Sequence, residues 1–174
     1  MRFGIQGFLD GRTVALDEAL PDADALELLR HTPSSWLGSC RFKLPALDAE
    51  GADEFYQKAF AAFADGGFDA VLYVGGNDSM DTIAKLGAYG ARIDSPIRFI
   101  GVPKTIDNDL VGIDHTPGYG SAARFVATAV SEVARDADVY DLKSVTFVEI
   151  MGRDAGWLAG SACLANPDLV LLPE

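Results

Sequence analysis

The chain has 174 residues and a formal net charge of −12, with 49% of residues hydrophobic and 23% charged. That size and composition suit one globular domain with a real core, whereas a net negative field disfavours nucleic acid and anionic membranes as partners. No apolar run approaches the roughly 20 residues of a membrane span, residues 1–5 are too short for the apolar core of a signal peptide, and Cys40 and Cys163 form no metal or redox spacing, so a reduced cytoplasmic setting is expected.

The charge is unevenly spread. Acidic residues crowd into 17–27 and 48–54, which read as solvated surface, while Arg41, Lys104 and Arg153 stand in Gly-rich or turn-rich stretches. Local cations, not the net charge, decide what a pocket attracts.

Taken in chain order, five short apolar runs read as buried strands: 2–5, 69–74, 97–102, 145–150 and 169–172. Val71, Leu72, Tyr73 and Val74 are continuous, as are Val170, Leu171 and Leu172, and continuity rather than alternation marks a parallel sheet covered on both faces. Helices are expected between them. Residues 53–64 carry Tyr56, Ala59, Phe60 and Phe63 at helical spacing, 79–86 follow a glycine pair, 121–135 align Phe125, Val126, Ala129 and Val133, and 155–164 close the series. Residues 32–47 are the least regular and predict a long loop. The βαβα alternation predicts an α/β fold, a three-layer sandwich around a mostly parallel, doubly wound sheet, with ligands beyond the carboxyl ends of the strands.

Three motifs fall at such ends. Gly75-Gly76-Asn77-Asp78-Ser79 follows the second strand. Its glycines allow a tight turn and close backbone approach, and the next helix aims its unpaired amides at the same point. The same residues also suit a plain strand–helix turn with Asp78 or Ser79 as N-cap, and no Walker Gly-Lys-Ser/Thr is present. Pro103-Lys104-Thr105-Ile106-Asp107-Asn108-Asp109 follows the third strand. Asp107 could take a proton from a hydroxyl nucleophile and Lys104 could stabilise a transferring phosphoryl group; the competing reading is an Asx-type turn. Met151-Gly152-Arg153-Asp154-Ala155-Gly156-Trp157 follows the fourth strand, where Arg153 suits a phosphate or pairs with Asp154 or Glu149, and Trp157 reads as core packing.

Arg41, in Leu37-Gly38-Ser39-Cys40-Arg41-Phe42, is either a mobile phosphate clamp or a solvated loop cation. Gly118-Tyr119-Gly120-Ser121 opens a helix with Ser121 as candidate N-cap, and His31 and His115 read as structural. No histidine or cysteine cluster suggests zinc, and no Ser/His/Asp order suggests a hydrolase.

Together and in this order, Gly-Gly-Asn-Asp-Ser, Thr-Ile-Asp-Asn-Asp, Gly-Tyr-Gly-Ser-Ala, Met-Gly-Arg and the closing Leu-Leu-Pro-Glu resemble the 6-phosphofructokinase family over nearly all of the chain. The resemblance implies phosphoryl transfer to the 1-hydroxyl of fructose 6-phosphate, with Mg²⁺, in a homo-oligomer. It implies that Asp107 is the base, assisted by Lys104, that Thr105 and Asp109 hold the sugar and incoming phosphate, and that Met151, Gly152 and Arg153 contact the sugar-phosphate region. Donor binding would fall to Gly75, Gly76, Asp78, Ser79 and Arg41, and the metal to Asn77 and Asp78. Asn77 stands where many members have an aspartate, and Ser144 falls near a position where ATP-using members have an arginine.

In the ATP-using branch the positions of Asp78 and Lys104 are usually glycine. A carboxylate at Asp78 would repel the α-phosphate of ATP, so the pair is similar to the pyrophosphate-dependent branch. The alternatives are an ATP-dependent member and a non-catalytic sugar-phosphate or nucleotide-binding fragment. The resemblance makes residues 1–174 a single α/β domain, the donor-binding half, lacking the family's initial glycine-rich loop and its second domain.

Overall fold

In the computed structural model, residues 1–173 are described. They form seven α-helices and two strands: α1 (Gly4–Leu9), α2 (Leu16–Ala19), α3 (Ala23–His31), α4 (Ala52–Asp65), β1 (Ala70–Gly75), α5 (Asn77–Arg92), β2 (Arg98–Pro103), α6 (Tyr119–Ala137) and α7 (Trp157–Ser161), the last continued by a 3-10 turn, Ala162–Ala165. β1 and β2 pair in one sheet. Arg98 N donates to Asp69 O and Lys104 N to Gly75 O, the same offset at both ends of the ladder, which only parallel strands give. The chain is therefore mixed α/β with a parallel sheet, as expected.

Two compact units divide it. One comprises Met1–Val71 and Ala84–Phe99, the other Leu72–Ile83 and the chain from Ile100 on. The first is built on aromatic packing. Tyr56 and Phe63 on α4 are fully buried, as predicted from their spacing. Phe63 stacks on Phe8 at 4.7 Å, Tyr56 on Tyr89 at 4.8 Å, and Phe60 lies 5.4 Å from Phe99. The buried phenols are satisfied: Tyr56 Oη donates to Pro45 O at 2.8 Å and Tyr89 Oη to Asp53 at 2.7 Å. That bond to Asp53 holds the Tyr89 phenol above its ordinary value, and desolvation adds to the effect.

In the second unit, Gly101 on β2 lets α5 approach closely, because a Cβ there would meet Met80 Sδ at 2.8 Å and Ile83 Cγ2 at 3.1 Å. Leu158 on α7 is buried, and Ser161 Oγ donates to Leu158 O at 2.6 Å. Opposite faces of the strands differ. Val71 and Tyr73 are buried, whereas Leu72, Val74, Ile100 and Val102 are exposed.

Three expected strands do not form. At 2–5, Phe3 and Gly4 take positive φ (56° and 60°), which turns the chain into α1. Residues 145–150 and 169–172 are irregular; Val145 and Phe147 are 79% and 89% exposed, and Leu169 and Leu171 are 73% and 76% exposed. An apolar run becomes a strand only when a neighbouring backbone accepts its hydrogen bonds, and the ladder among the described residues ends at two strands. The irregular stretch 32–47 is largely coil, as expected.

Candidate functional site

The loops leaving β1 and β2 meet in the second unit. Gly75 ends β1, and a Cβ there would collide with the Ser79 side chain. Gly76 O then accepts from Ser79 N at 2.9 Å and Met80 N at 3.1 Å, which starts α5. The helix dipole makes the start of α5 an electropositive point. Asp78 sits exposed in that turn, where the dipole favours its charge.

The loop after β2 lies directly against this turn. Lys104 N donates to Gly75 O at 2.8 Å, and a Cβ on Gly76 would be 3.6 Å from Lys104 O. Asn77 Nδ2 makes a long contact, 3.4 Å, to Asp109 Oδ2. The fold thus joins the turn of residues 75–79 to the loop of residues 104–109 at Gly75 and Gly76 with Lys104 and at Asn77 with Asp109, although more than 20 residues separate the two motifs in sequence.

Asp107 is half-buried, and its Oδ1 is enclosed without a hydrogen-bond partner. Leaving such an oxygen unsatisfied costs about 1–3 kcal/mol. Native structures keep groups of this kind chiefly where a reactant, ion or water completes them. Its backbone is fixed, with N–H donated to Thr105 Oγ1 at 3.1 Å.

The next residue was legible only as part of a turn. Asn108 is buried and left-handed at φ 57°. Its Nδ2 donates to Asp114 O at 3.1 Å and its Oδ1 accepts from Thr116 N at 2.9 Å. Thr116, also buried, donates its hydroxyl to Thr105 O at 2.6 Å. The side-chain turn here is made by Thr105, whose Oγ1 takes the N–H of Asp107 two residues on, while Asn108 reaches eight residues ahead to Thr116 and Asp107 Oδ1 stays without a hydrogen-bond partner.

Beyond the turn, Thr105 and Gly118 form an isolated parallel bridge that leads into α6. The cap of α6 is Gly118 at φ 99°, not Ser121, because the helix starts at Tyr119, three residues earlier than a Ser121 cap allows, and only glycine accepts that conformation freely. The Met-Gly-Arg turn belongs to the same unit. Gly152 has φ 140°, and a Cβ there would run into the Ala155 carbonyl; Met151 and Arg153 are exposed on either side. A cleft of about 360 Å³ is lined by Asp109, Asp114, His115, Tyr119 and Trp157. Trp157 is 55% exposed rather than core; it lines this cleft and its carbonyl accepts from Tyr119 Oη at 3.4 Å. His115 pairs with Asp114 at 3.1 Å on the surface.

Arg41 belongs to the first unit, where it is exposed in coil. Among the described residues no group of three or more His, Cys, Asp or Glu side chains could hold a metal by itself, and no helix is long and apolar enough to cross a membrane.

The family described as PFK, phosphofructokinase, matches residues 1–174. A protein of Xanthomonas campestris pv. campestris named pyrophosphate–fructose 6-phosphate 1-phosphotransferase is 41% identical over 181 residues, covering 99% of this chain and 42% of its own length. A protein of the same name from Halomonas elongata is 36% identical, covering 98% of this chain and 42% of its own. The crystal structure of the pyrophosphate-dependent phosphofructokinase from Marinobacter aquaeolei superimposes with a TM-score of 0.83 at 36% identity, over 99% of this chain and 43% of that one. The chain thus spans about two fifths of the length of the relatives it matches.

Proposed function

The chain belongs to the phosphofructokinase family, and from that premise we propose that it carries the donor site and the catalytic base of an enzyme moving a phosphoryl group from pyrophosphate to the 1-hydroxyl of fructose 6-phosphate. The observation that carries this reading is the enclosed, unpartnered Oδ1 of Asp107 in the loop after β2, a loop whose Lys104 N–H is bonded to Gly75 O just before α5.

In this reading Asp107 accepts the proton of the sugar hydroxyl as its oxygen attacks the phosphorus. A base held within hydrogen-bond reach of that proton is worth about 10²–10⁴ in rate. Lys104 stands on the same loop and offsets charge on the equatorial oxygens of the transferring group. The start of α5, at Gly76 and Asn77, receives the donor's terminal oxygens. Thr105 and Asp109 position the sugar and the incoming phosphate, and Met151, Gly152 and Arg153 take the sugar-phosphate end.

Asp78 sets the donor. It occupies the space and charge that an α-phosphate would need, whereas pyrophosphate has no third phosphate to place there.

The residues present suit Mg²⁺ of one kind. The donors are hard oxygens, and without a three-carboxylate cage among the described residues they match an ion held by one or two carboxylates plus substrate phosphates. Asp78 and Asn77 are its candidate protein contacts, with Asn77 also tied to Asp109; when bound, the ion neutralises charge on the donor's oxygens. We further place the enzyme in the cytoplasm as a homo-oligomer. The free cysteines Cys40 and Cys163 and the family membership support that placement. Steady-state turnover of the full-length protein with fructose 6-phosphate, Mg²⁺ and pyrophosphate is the direct test; absence of phosphoryl transfer from pyrophosphate would remove the donor assignment.

A further inference from the structure

We propose that Asn108 is a positioning residue for the reaction: with Thr116 it clamps the turn so that the Asp107 carboxylate is held in one orientation. This rests on the reading of Asp107 as the base.

Asp107 is fixed on both sides. Its own N–H is spent on Thr105 Oγ1. The following residue is locked in the left-handed region at φ 57°, a conformation that asparagine reaches more readily than most side chains and that reverses the chain immediately after Asp107. The Asn108 amide uses both ends, donating to Asp114 O and accepting from Thr116 N. Thr116 closes the circuit by donating its hydroxyl to Thr105 O, the residue that holds the Asp107 amide. Asn108 and Thr116 are 8% and 3% exposed, so water cannot easily replace these bonds.

Neither Asn108 nor Thr116 has a role toward a phosphate in this arrangement, because their polar atoms are engaged with the loop itself. Their effect on the reaction passes through Asp107. The same circuit explains how an oxygen can stay enclosed and unpartnered: the turn cannot relax to satisfy it. A misplacement of about 1 Å at a reacting group can cost about a hundredfold in rate, so the clamp acts on turnover rather than on substrate affinity.

The test uses four variants of the full-length protein. Asn108→Gly keeps the left-handed backbone and deletes the clamp. Asn108→Asp keeps shape and the acceptor for Thr116 N but loses the donor to Asp114 O. Thr116→Val removes the hydroxyl, and Thr116→Ser restores it. The expected result is kcat lowered about 10–100-fold in the first three, with KM within about threefold, and near-normal kcat in Thr116→Ser. A purely structural role would lower the melting temperature while leaving the kcat of the folded fraction within about twofold, and that outcome overturns the inference. So would a loss confined to KM.

A second readout does not depend on turnover. The Asp107 side-chain carboxyl carbon, identified in NMR spectra by its loss in Asp107→Asn, should give a resonance distinct from exposed carboxylates. In Asn108→Gly it should collapse toward them. If turnover is absent in the wild type but this change occurs, the functional reading fails and the clamp stands. If the resonance is unaltered in Asn108→Gly and Thr116→Val, the clamp fails whatever the donor.

Discussion

Replacing Asp107 by asparagine should push activity and stability in opposite directions. The change preserves shape and removes the charge and the basic oxygen. Turnover of the full-length protein should fall by about 10²–10⁴, the usual size of a general-base effect, with KM for the sugar little altered. Stability should rise or hold. Oδ1 of Asp107 is enclosed without a partner, and an unsatisfied buried polar atom costs about 1–3 kcal/mol, more when it is charged. A neutral amide in the same place bears only part of that cost, so a gain of about 1 kcal/mol is expected. For a chain of this size, about 1 kcal/mol moves Tm by about 2–4 °C. Thermal unfolding followed by circular dichroism reads the second effect, and a coupled assay of fructose bisphosphate formation reads the first. Turnover within twofold of wild type would take Asp107 out of the chemistry. A loss of more than about 1 kcal/mol would mean that the carboxylate is a structural member of the loop after all.

Other substitutions probe the frame around it. Gly75→Ala drives a methyl into the Ser79 side chain and should cost about 1–3 kcal/mol, read by urea unfolding, with Gly75→Ala/Ser79→Gly recovering most of it. Gly152→Ala must adopt φ 140° against the Ala155 carbonyl and should cost about 1–3 kcal/mol or reshape the Met-Gly-Arg turn, visible as weakened sugar-phosphate binding in calorimetry. Tyr89 has its phenol held above the ordinary value by Asp53 and by burial. Its contribution is therefore complete below the ordinary tyrosine range and is lost as pH rises through the folded-state value. Tyr89→Phe should lower Tm at neutral pH and flatten the alkaline decline, while an unchanged alkaline profile would show that another group is responsible.

The helices were legible where one face is uniformly apolar. Tyr56, Ala59, Phe60 and Phe63 mark α4 and are all buried; β1 and β2 likewise coincide with the runs around Val71 and Phe99. The failures share a cause. Val145, Phe147, Leu169 and Leu171 have strand-like composition, but a strand is a pairing of backbones, and composition does not say whether a partner is near. Helix α1 was hidden behind a strand-like run because the positive φ of Phe3 and Gly4 carries no hydrophobic signature. At the site, residue type singled out Asp107 and Lys104 as candidates. The Asn108–Thr116 circuit stayed unseen because it joins positions eight apart through buried side chains. The one available signal was an asparagine in a turn, a residue that tolerates left-handed backbone and bonds to neighbouring main chain.

Donor choice tests the account most directly. Steady-state rates of the full-length protein should be measured with pyrophosphate and with ATP, for wild type and for Asp78→Gly/Lys104→Gly. Asp78 is exposed, so water screens it. Like unit charges at about 4 Å repel by about 1 kcal/mol in bulk water and about 4 kcal/mol at an effective dielectric near 20, and an exposed carboxylate belongs toward the lower figure. The account predicts that wild type prefers pyrophosphate to ATP, and that the double variant gains at least about fivefold with ATP, matching about 1 kcal/mol, while losing rate with pyrophosphate. A wild type that prefers ATP, or a double variant with the donor preference unchanged, would contradict it.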